Sequence, residues 1–404
     1  MQRHVVITGC GLVTAAGNDL DGFWATIMRG ASFIRPLQQF ACPEMDTLMG
    51  AAVELPSSDD LPTTVDSIAY RSRCTQLAIA AAGRAVSDAA LASGAIGLER
   101  AGIVFGTTLG QERQVADLSE HWVREGPDSV DSGFLRRCDN HGLAAVIAAR
   151  HGLGGPVLLS ATACSSGNAS VAMAYDLVSS GSAEAMIAGG ADTFSRLIYC
   201  GFRRMGALAK DVCRPFDRRR DGVSFGEGAA FLVLEEQEAA RQRGARIYAE
   251  LAGYGISNDA YHMTAPDPNG DGVARAMRQA LETTSTTMVD YVSAHGTGTP
   301  YNDVGEARAM KAVFGDRVRN IPISSIKSTI GHTNGAAGAI ESIVCALALV
   351  HQAVPPTANF SEPDPDCDLD CVPGEGRPMR VDTCLNLAAG FGGSNVCLVI
   401  KRPQ

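Results

Sequence analysis

The sequence predicts an α/β fold, on two observations. Short apolar runs alternate with helical stretches along the chain, and several of those runs are continuous rather than alternating. Strands that alternate with helices form a sheet with helices on its faces. A continuous apolar run is what a strand needs when both faces of its sheet are covered. Size and composition agree. A chain of 404 residues buries roughly three quarters of its unfolded surface, so no disulfide or metal staple is required. Hydrophobic residues at 46% and charged residues at 19% exclude a disordered chain. A net charge of 34 − 44 = −10 argues against a general nucleic-acid binder.

The expected strands are, in order, HVVITGCG, AGIVFGT, VLLSATAC, AMIAGGAD, AAFLVLEE, IYAELAGYG, DYVSAHGTG, IPISSIKS, LNLAAGF and NVCLVIKR. Helical stretches fall between them at Arg73–Leu91, Ser165–Ser179, Val273–Ser285 and Gly335–Val350. HVVITGCGLVTAAGN and RIYAELAGYGISNDA each set a strand before a Gly-rich turn, which points to a divergent duplication with its boundary near Gly244. No Pro/Ser-rich linker separates the halves, so they should pack together. Glu362–Gly376 is Pro/Asp-rich and reads as a surface loop. The chain starts straight into a strand-like segment without a signal-peptide layout. Its longest apolar stretch, near Ile340–Val350, is broken by Glu341 and too short to span a bilayer. A soluble, cytoplasmic protein with no membrane partner is expected. The 12 cysteines include no CxxC pair, and Cys367 and Cys371 lack a second ligand pair, so no metal site is expected. Most cysteines should be reduced and buried.

Four segments carry residues suited to chemistry. In VLLSATACSSGNAS, Cys164 falls at a strand-to-helix turn, with Ser165 and Ser166 as caps. Backbone N–H groups and the positive helix end there favour a thiolate and can hold an oxyanion. A buried structural cysteine is the plainer alternative. In DYVSAHGTGTPYNDVGEARAM, an apolar strand delivers His295 into a Gly/Thr loop, and a helix bearing Asp303 and Glu306 follows. Thr297 and Thr299 offer hydroxyls to a polar, extended ligand. In SSIKSTIGHTNGAAGAIES, Lys327 ends a strand and His332 precedes a helix opened by small residues that permit close packing. Glu341 falls on an apolar helix face, where a charge is costly unless paired, and Lys327 is its expected partner. In LAAGFGGSN, glycines flank Phe391. Sites in α/β sheets gather where strands end. A thiol and two imidazoles converging there suit thioester chemistry, the sulfur accepting an acyl group and the rings stabilising an enolate.

Taken together, TACSSG, RPFDRRRDGVSFGEGAAFLVLE, AHGTGTP, KSTIGHTNGAAGAIES and GFGGSN resemble the β-ketoacyl-acyl-carrier-protein synthases of the thiolase superfamily, most nearly the synthase II type and its type II polyketide relatives. The resemblance implies a duplicated thiolase fold, five-layered αβαβα, with halves at 1–244 (carrying the nucleophilic Cys) and 245–404 (carrying both catalytic His). It implies an acyltransferase that condenses an enzyme-bound acyl group with a malonyl unit, losing CO2. Cys164 is then the acylated nucleophile. His295 and His332 promote decarboxylation, and Lys327 supports them through Glu341. The N–H groups of Cys164 and Phe391 form an oxyanion hole. Phe391 is the gating aromatic, and Thr297, Thr299, Phe202 and Leu109 contact substrate. Asp303 and Glu306 are supports.

No enzyme-bound cofactor is implied; the phosphopantetheine arm of an acyl carrier protein brings the substrate. The partners implied are that carrier protein and a second subunit, as a homodimer or as a heterodimer with a chain-length-factor-like chain. Carrier proteins are acidic, so docking needs a local basic surface, expected at Arg203, Arg204, Arg218, Arg219 and Arg220. Arg214 and Asp217 read instead as a structural pair. Three departures bear on the substrate. Ala388 and Ala389 precede Gly390 where the family commonly has Ser-Phe. Arg137, Asp139, Asn140 and His141 stand in a stretch that is normally apolar. Ala265 replaces a frequent Ser. These point either to a polar, unsaturated or aromatic intermediate or to a heterodimer with a chain-length-factor partner. The competing readings are a non-catalytic chain-length-factor-like subunit, which Cys164 argues against, and a thiolase acting on coenzyme A thioesters.

Overall fold

The apolar runs pair into one ten-stranded sheet. The computed structural model describes residues 3–38, 47–55, 72–91, 97–130, 133 and 138–403. The strands are β1 (Val5–Val13), β2 (Ala101–Gly106), β3 (Val157–Ser160), β4 (Ala185–Asp192), β5 (Gly228–Glu236), β6 (Ala249–Asn258), β7 (Tyr291–Ser293), β8 (Ile323–Ser324), β9 (Thr383–Gly390) and β10 (Ser394–Lys401). Across the sheet they run β3-β2-β4-β5-β1-β6-β10-β9-β7-β8. The two halves of that order are the same path traced twice outward from β1 and β6. In the first half β1–β5 and β5–β4 are antiparallel, and β4–β2 and β2–β3 parallel. In the second, β6–β10 and β10–β9 are antiparallel, and β9–β7 and β7–β8 parallel. An antiparallel contact of β1 with β6, Val5 opposite Leu251, joins the halves.

Helices sit on both faces, and α4 (Arg196–Arg204) follows β4. α1 (Arg73–Asp88) and α2 (His141–His151) cover the outside of the first half-sheet, and α5 (Asp271–Thr283) with α6 (Pro300–Phe314) that of the second. α3 (Ser166–Ser179) and α7 (Ala337–His351) lie between the half-sheets and touch both. The layers are therefore αβαβα. Along β5, Phe231 and Val233 face the outer core with α1, while Leu232 and Leu234 face the central core with α3 and α7. Each strand face has its own apolar partner, which is why the runs are continuous. Apart from Glu341 and Ser342, α7 is apolar round nearly its whole length for the same reason. With its preceding turn, Asn334–His351 is long and apolar enough to cross a bilayer, longer than the stretch read from the sequence, and 89% of it is buried inside the protein.

The central helices meet almost backbone to backbone. A Cβ on Gly338 would lie 2.7 Å from Asn168 N, and one on Gly167 would lie 2.8 Å from Gly335 O. Buried Asn386 of β9 donates to Asn168 Oδ1 (3.0 Å) and Gly338 O (2.8 Å), tying α3, α7 and the second half-sheet together. Two expected strands are shorter than read. VLLSATAC stops at Ser160, and IPISSIKS is extended only at Ile323–Ser324. Lys327 therefore does not end a strand but opens a one-turn helix, Lys327–Ile330, because the chain turns inward at Ser325–Ile326.

Gly338→Ala should press a methyl into the Asn168 backbone, costing about 1–3 kcal/mol as overpacking does. Thermal unfolding of the variant should show a lowered midpoint; an unchanged midpoint would mean that the helices can separate freely.

Candidate active site

Between β3 and α3, Ala163–Ser165 forms one tight turn, with Ala163 at φ +52°. A non-glycine residue in this left-handed region is held there by its surroundings. Ser165 and Ser166 do not cap α3 as expected. Ser165 Oγ donates to Thr162 O (2.7 Å), and Ser166 Oγ accepts from Thr162 N (2.8 Å) and donates to Ala163 O (2.6 Å), so both brace the turn. Gly390 packs on it; a Cβ there would sit 3.2 Å from Cys164 N. Cys164 is buried, and burial pushes its thiol up to about 12. Asp192 adds to this, while Lys327 and the backbone N–H groups of Cys164 and Phe391 pull the other way. The turn was expected to favour a thiolate; in the resting site desolvation outweighs it. The two N–H groups that approach the sulfur are those expected to form the oxyanion hole.

β7 ends at Ser293 and delivers His295 into its loop. Glu306, buried on α6, accepts from His295 N (2.6 Å) and Gly296 N (2.8 Å). Asp303, one turn earlier, accepts from Phe216 N (2.7 Å) and Gly298 N (3.2 Å). Both carboxylates thus hold the histidine loop from beneath, and burial pushes Glu306 up to about 7. The His295 and His332 ring centroids lie 5.5 Å apart, the planes at 86°. His332 Nδ1 accepts from Asn334 N (3.3 Å), so the neutral ring carries its hydrogen on Nε2. Burial holds both rings well below the usual imidazole range, with Lys327 reinforcing it and, for His295, His332 as well. They are neutral N–H donors rather than cations. Lys327 Nζ lies 2.5 Å from Glu341 Oε1, each side chain 1% exposed, the partnership expected from the sequence. Burial pushes Glu341 up to about 7 against the pull of Lys327.

Cys164, His295, His332, Thr297, Thr299, Phe202 and Phe391 line one cleft. Lys327 does not line it and acts on its walls from behind. Leu109 also stays off the wall, in an apolar cluster with Phe202 and Phe225. Phe391 stacks on Phe202 (centroids 5.1 Å, 7°), Phe202 meets Phe225 edge-on, and Phe225 faces His332 (6.3 Å). Ala265 and Ala389 line the cleft as well. Asp192, ending β4, was missed. Its buried carboxylate accepts from Thr107 Oγ1 (2.7 Å), the N–H groups of Thr108, Leu109 and Gly110, and Gly335 N (2.7 Å), binding the loop after β2 to the turn before α7. Its signal was an acidic residue closing the apolar run AMIAGGAD.

Arg203, Arg204 and Arg218 are exposed. Arg219 pairs with Glu362 (3.1 Å), and Arg220 pairs with Asp364 with only 7% of its side chain exposed, so these two are engaged within the fold. Arg214 pairs with Asp211 (2.7 Å), not Asp217; Asp217 accepts instead from Ser361 N (2.7 Å) and Glu362 N (2.8 Å). Arg137 lies outside the described residues. Asp139 accepts from His141 N (3.0 Å) and Asn140 from Gln111 N (2.8 Å), so both serve local backbone, and His141 is exposed.

Residues 2–240 match the family model for the beta-ketoacyl synthase N-terminal domain and residues 248–361 that for the C-terminal domain. A 3-oxoacyl-[acyl-carrier-protein] synthase 2 from Synechocystis sp. is 37% identical over 414 residues, covering 100% of this chain and 99% of that protein. The solved ishigamide ketosynthase/chain length factor superposes with a TM-score of 0.94 at 38% identity, covering 100% of both chains. A type II polyketide synthase acyl-carrier protein in complex with its ketosynthase bound to the hexaketide gives 0.91 at 32% identity, again covering 100% of both.

Because the folded pKa of each ring lies below its unfolded value, the neutral form persists as pH falls through the ordinary imidazole range near 6.5. Imidazole resonances of His295 and His332 followed by NMR should not shift there; a midpoint near 6.5 would show that the rings are solvated.

Proposed function

This chain belongs to the β-ketoacyl synthase family, and from that premise we propose that it is an acyltransferase performing a decarboxylative Claisen condensation in fatty-acid or type II polyketide chain elongation. The observation that carries this reading is the meeting of Cys164, His295 and His332 in a single cleft. The halves 1–244 and 245–404 each supply one side of it.

An acyl group moves first from its carrier's phosphopantetheine sulfur to Cys164, the thiol proton ending on the departing pantetheine. The N–H groups of Cys164 and Phe391 hold the carbonyl oxygen as it gains charge. The burial that raises the thiol suits a sulfur that spends the next step as an uncharged thioester. A malonyl carrier then threads its arm past Thr297 and Thr299, whose hydroxyls lie 3.0 Å apart. Its carboxylate leaves as CO2, and the electron pair passes into an enolate. Neutral N–H donors on His295 and His332 stabilise the enolate oxygen without a proton being transferred beforehand. The enolate carbon bonds to the acyl carbon, the C–S bond breaks, and Cys164 recovers a proton. The product is a 3-ketoacyl carrier two carbons longer. Holding both thioesters in one cleft removes much of the entropic barrier. The enzyme itself holds no cofactor in this scheme.

Arg203, Arg204 and Arg218 offer the docking surface for an acidic carrier. β3 is a sheet edge whose Val157, Leu158 and Leu159 are half-buried, and among the described residues it pairs only with β2. Such an edge suits strand-to-strand pairing with a second copy or with a chain-length-factor-like subunit. A cytoplasmic setting fits the similarity to 3-oxoacyl-[acyl-carrier-protein] synthases. A non-catalytic subunit has no use for a thiol between two N–H donors. A thiolase reading wants a second reactive cysteine, and Cys397 is fully buried in β10 among apolar residues.

Cys164→Ala should abolish acyl transfer yet retain malonyl decarboxylation; full condensing activity would remove the nucleophile assignment. His332→Ala should slow decarboxylation far more than acylation of Cys164, measured by intact mass, and equal losses would reject the division of labour.

A further inference from the structure

We propose that Phe225 is a positioning residue for decarboxylation, fixing the ring of His332 from one layer behind the cleft wall. The proposal rests on the decarboxylative reading above. His332 needs such a fixture because its own hydrogen bonds hold the ring loosely. Nδ1 accepts from Asn334 N at 3.3 Å, a long bond, and Nε2 has no partner among the described residues. One bond at a ring nitrogen leaves the ring free to rock about its Cβ–Cγ axis. The direction of the Nε2 hydrogen is therefore set by packing.

Phe225 supplies that packing. Its ring lies at 19° to the His332 ring, with centroids 6.3 Å apart, inside the range that aromatic neighbours use. The two backbones are locked together. His332 N donates to Ser224 O (2.8 Å) and Gly226 N donates to His332 O (3.0 Å), one bond on each side of Phe225. A Cβ on Gly331 would lie 2.5 Å from Phe225 O, so no side chain fits between the segments. The Phe225 ring is held in turn. It is 1% exposed, and Tyr199 meets it edge-on (5.4 Å, 79°) with its hydroxyl donating to Met49 O (3.0 Å).

Place in the ring series separates Phe225 from its neighbours. Phe202 and Phe391 line the cleft, and Phe225 does not. An acyl chain on Cys164 packs against the outer two rings, whereas Phe225 acts on the reacting atoms through His332. Loss of the Phe225 ring should therefore spare acyl transfer, which uses Cys164 and its N–H donors. It should impair the step that needs the His332 N–H aimed at the enolate oxygen.

The test compares the wild type with Phe225→Met and Phe225→Leu, which keep an apolar side chain but remove the ring. Two rates are read by mass in each protein: acyl transfer from its carrier to Cys164, and conversion of malonyl carrier to acetyl carrier without an acyl donor. Misplacement by about 1 Å can cost about 100-fold, so kcat for decarboxylation should fall at least about tenfold, with KM for malonyl carrier held within about twofold. Acyl transfer should stay within about threefold of wild type. Partial unfolding lowers both rates together, so the ratio within each variant is the readout. In a His332→Ala background, Phe225→Met should change the residual decarboxylation by less than about twofold, because the ring it positions is gone. Equal losses in the two rates, a raised KM with unchanged kcat, or an undiminished effect in the His332→Ala background overturns this inference alone. Wild type that leaves malonyl carrier intact overturns the parent reading too.

Discussion

Everything at the active site depends on how closely α3 and α7 approach each other. The turns that start these two helices carry Cys164 and, a few residues before the second, His332. Those groups share a cleft only because Gly167, Gly335 and Gly338 put no side chain between the helices. The contact is fixed rather than merely allowed. Asn386 of β9 exchanges hydrogen bonds with Asn168 of α3 and donates to Gly338 O of α7, and Asp192 clamps the turn before α7 to the loop after β2. Dispersion forces reward such close packing only if no methyl intrudes.

The second constraint is electrical. The site gathers ionisable groups in a region from which water is excluded, and each is handled differently. Lys327 and Glu341 are buried as a pair, which neutralises two charges that neither could carry alone. Asp192, Asp303 and Glu306 are surrounded by backbone N–H groups, so their carboxylates serve as anchors for loops. The positive charge of Lys327 acts on both histidines from behind and discourages their protonation. The rings therefore remain N–H donors, which is what the proposed stabilisation of an enolate oxygen requires. A site built this way stabilises developing negative charge without first having to reorganise.

Much of the architecture was legible because duplication leaves its mark in strand order as well as in pattern. The continuous apolar runs required two covered faces, and the sheet has them. The pairing of Lys327 with Glu341 followed from one charge on an apolar helix face. Other readings failed where neighbours in space overruled neighbours in sequence. Arg219 and Arg220 looked like a basic patch, yet Glu362 and Asp364 come round from a distant loop to pair with them. Arg214 found Asp211 rather than Asp217 because the backbone amides of Ser361 and Glu362 already occupy Asp217. Ser165 and Ser166 resembled caps, but the turn ahead of α3 is tight enough to claim their hydroxyls for itself.

The residue types at strand ends, their order and their glycine neighbours are local properties, and from them the sequence alone determined the fold class, the reaction family and which three groups would meet in one cleft. Only the tertiary structure decided which charges are paired, that the histidines are neutral, and that burial rather than the helix end governs the thiol. Those outcomes depend on desolvation and on contacts between segments far apart in the chain. Neither quantity exists until the layers have closed over one another.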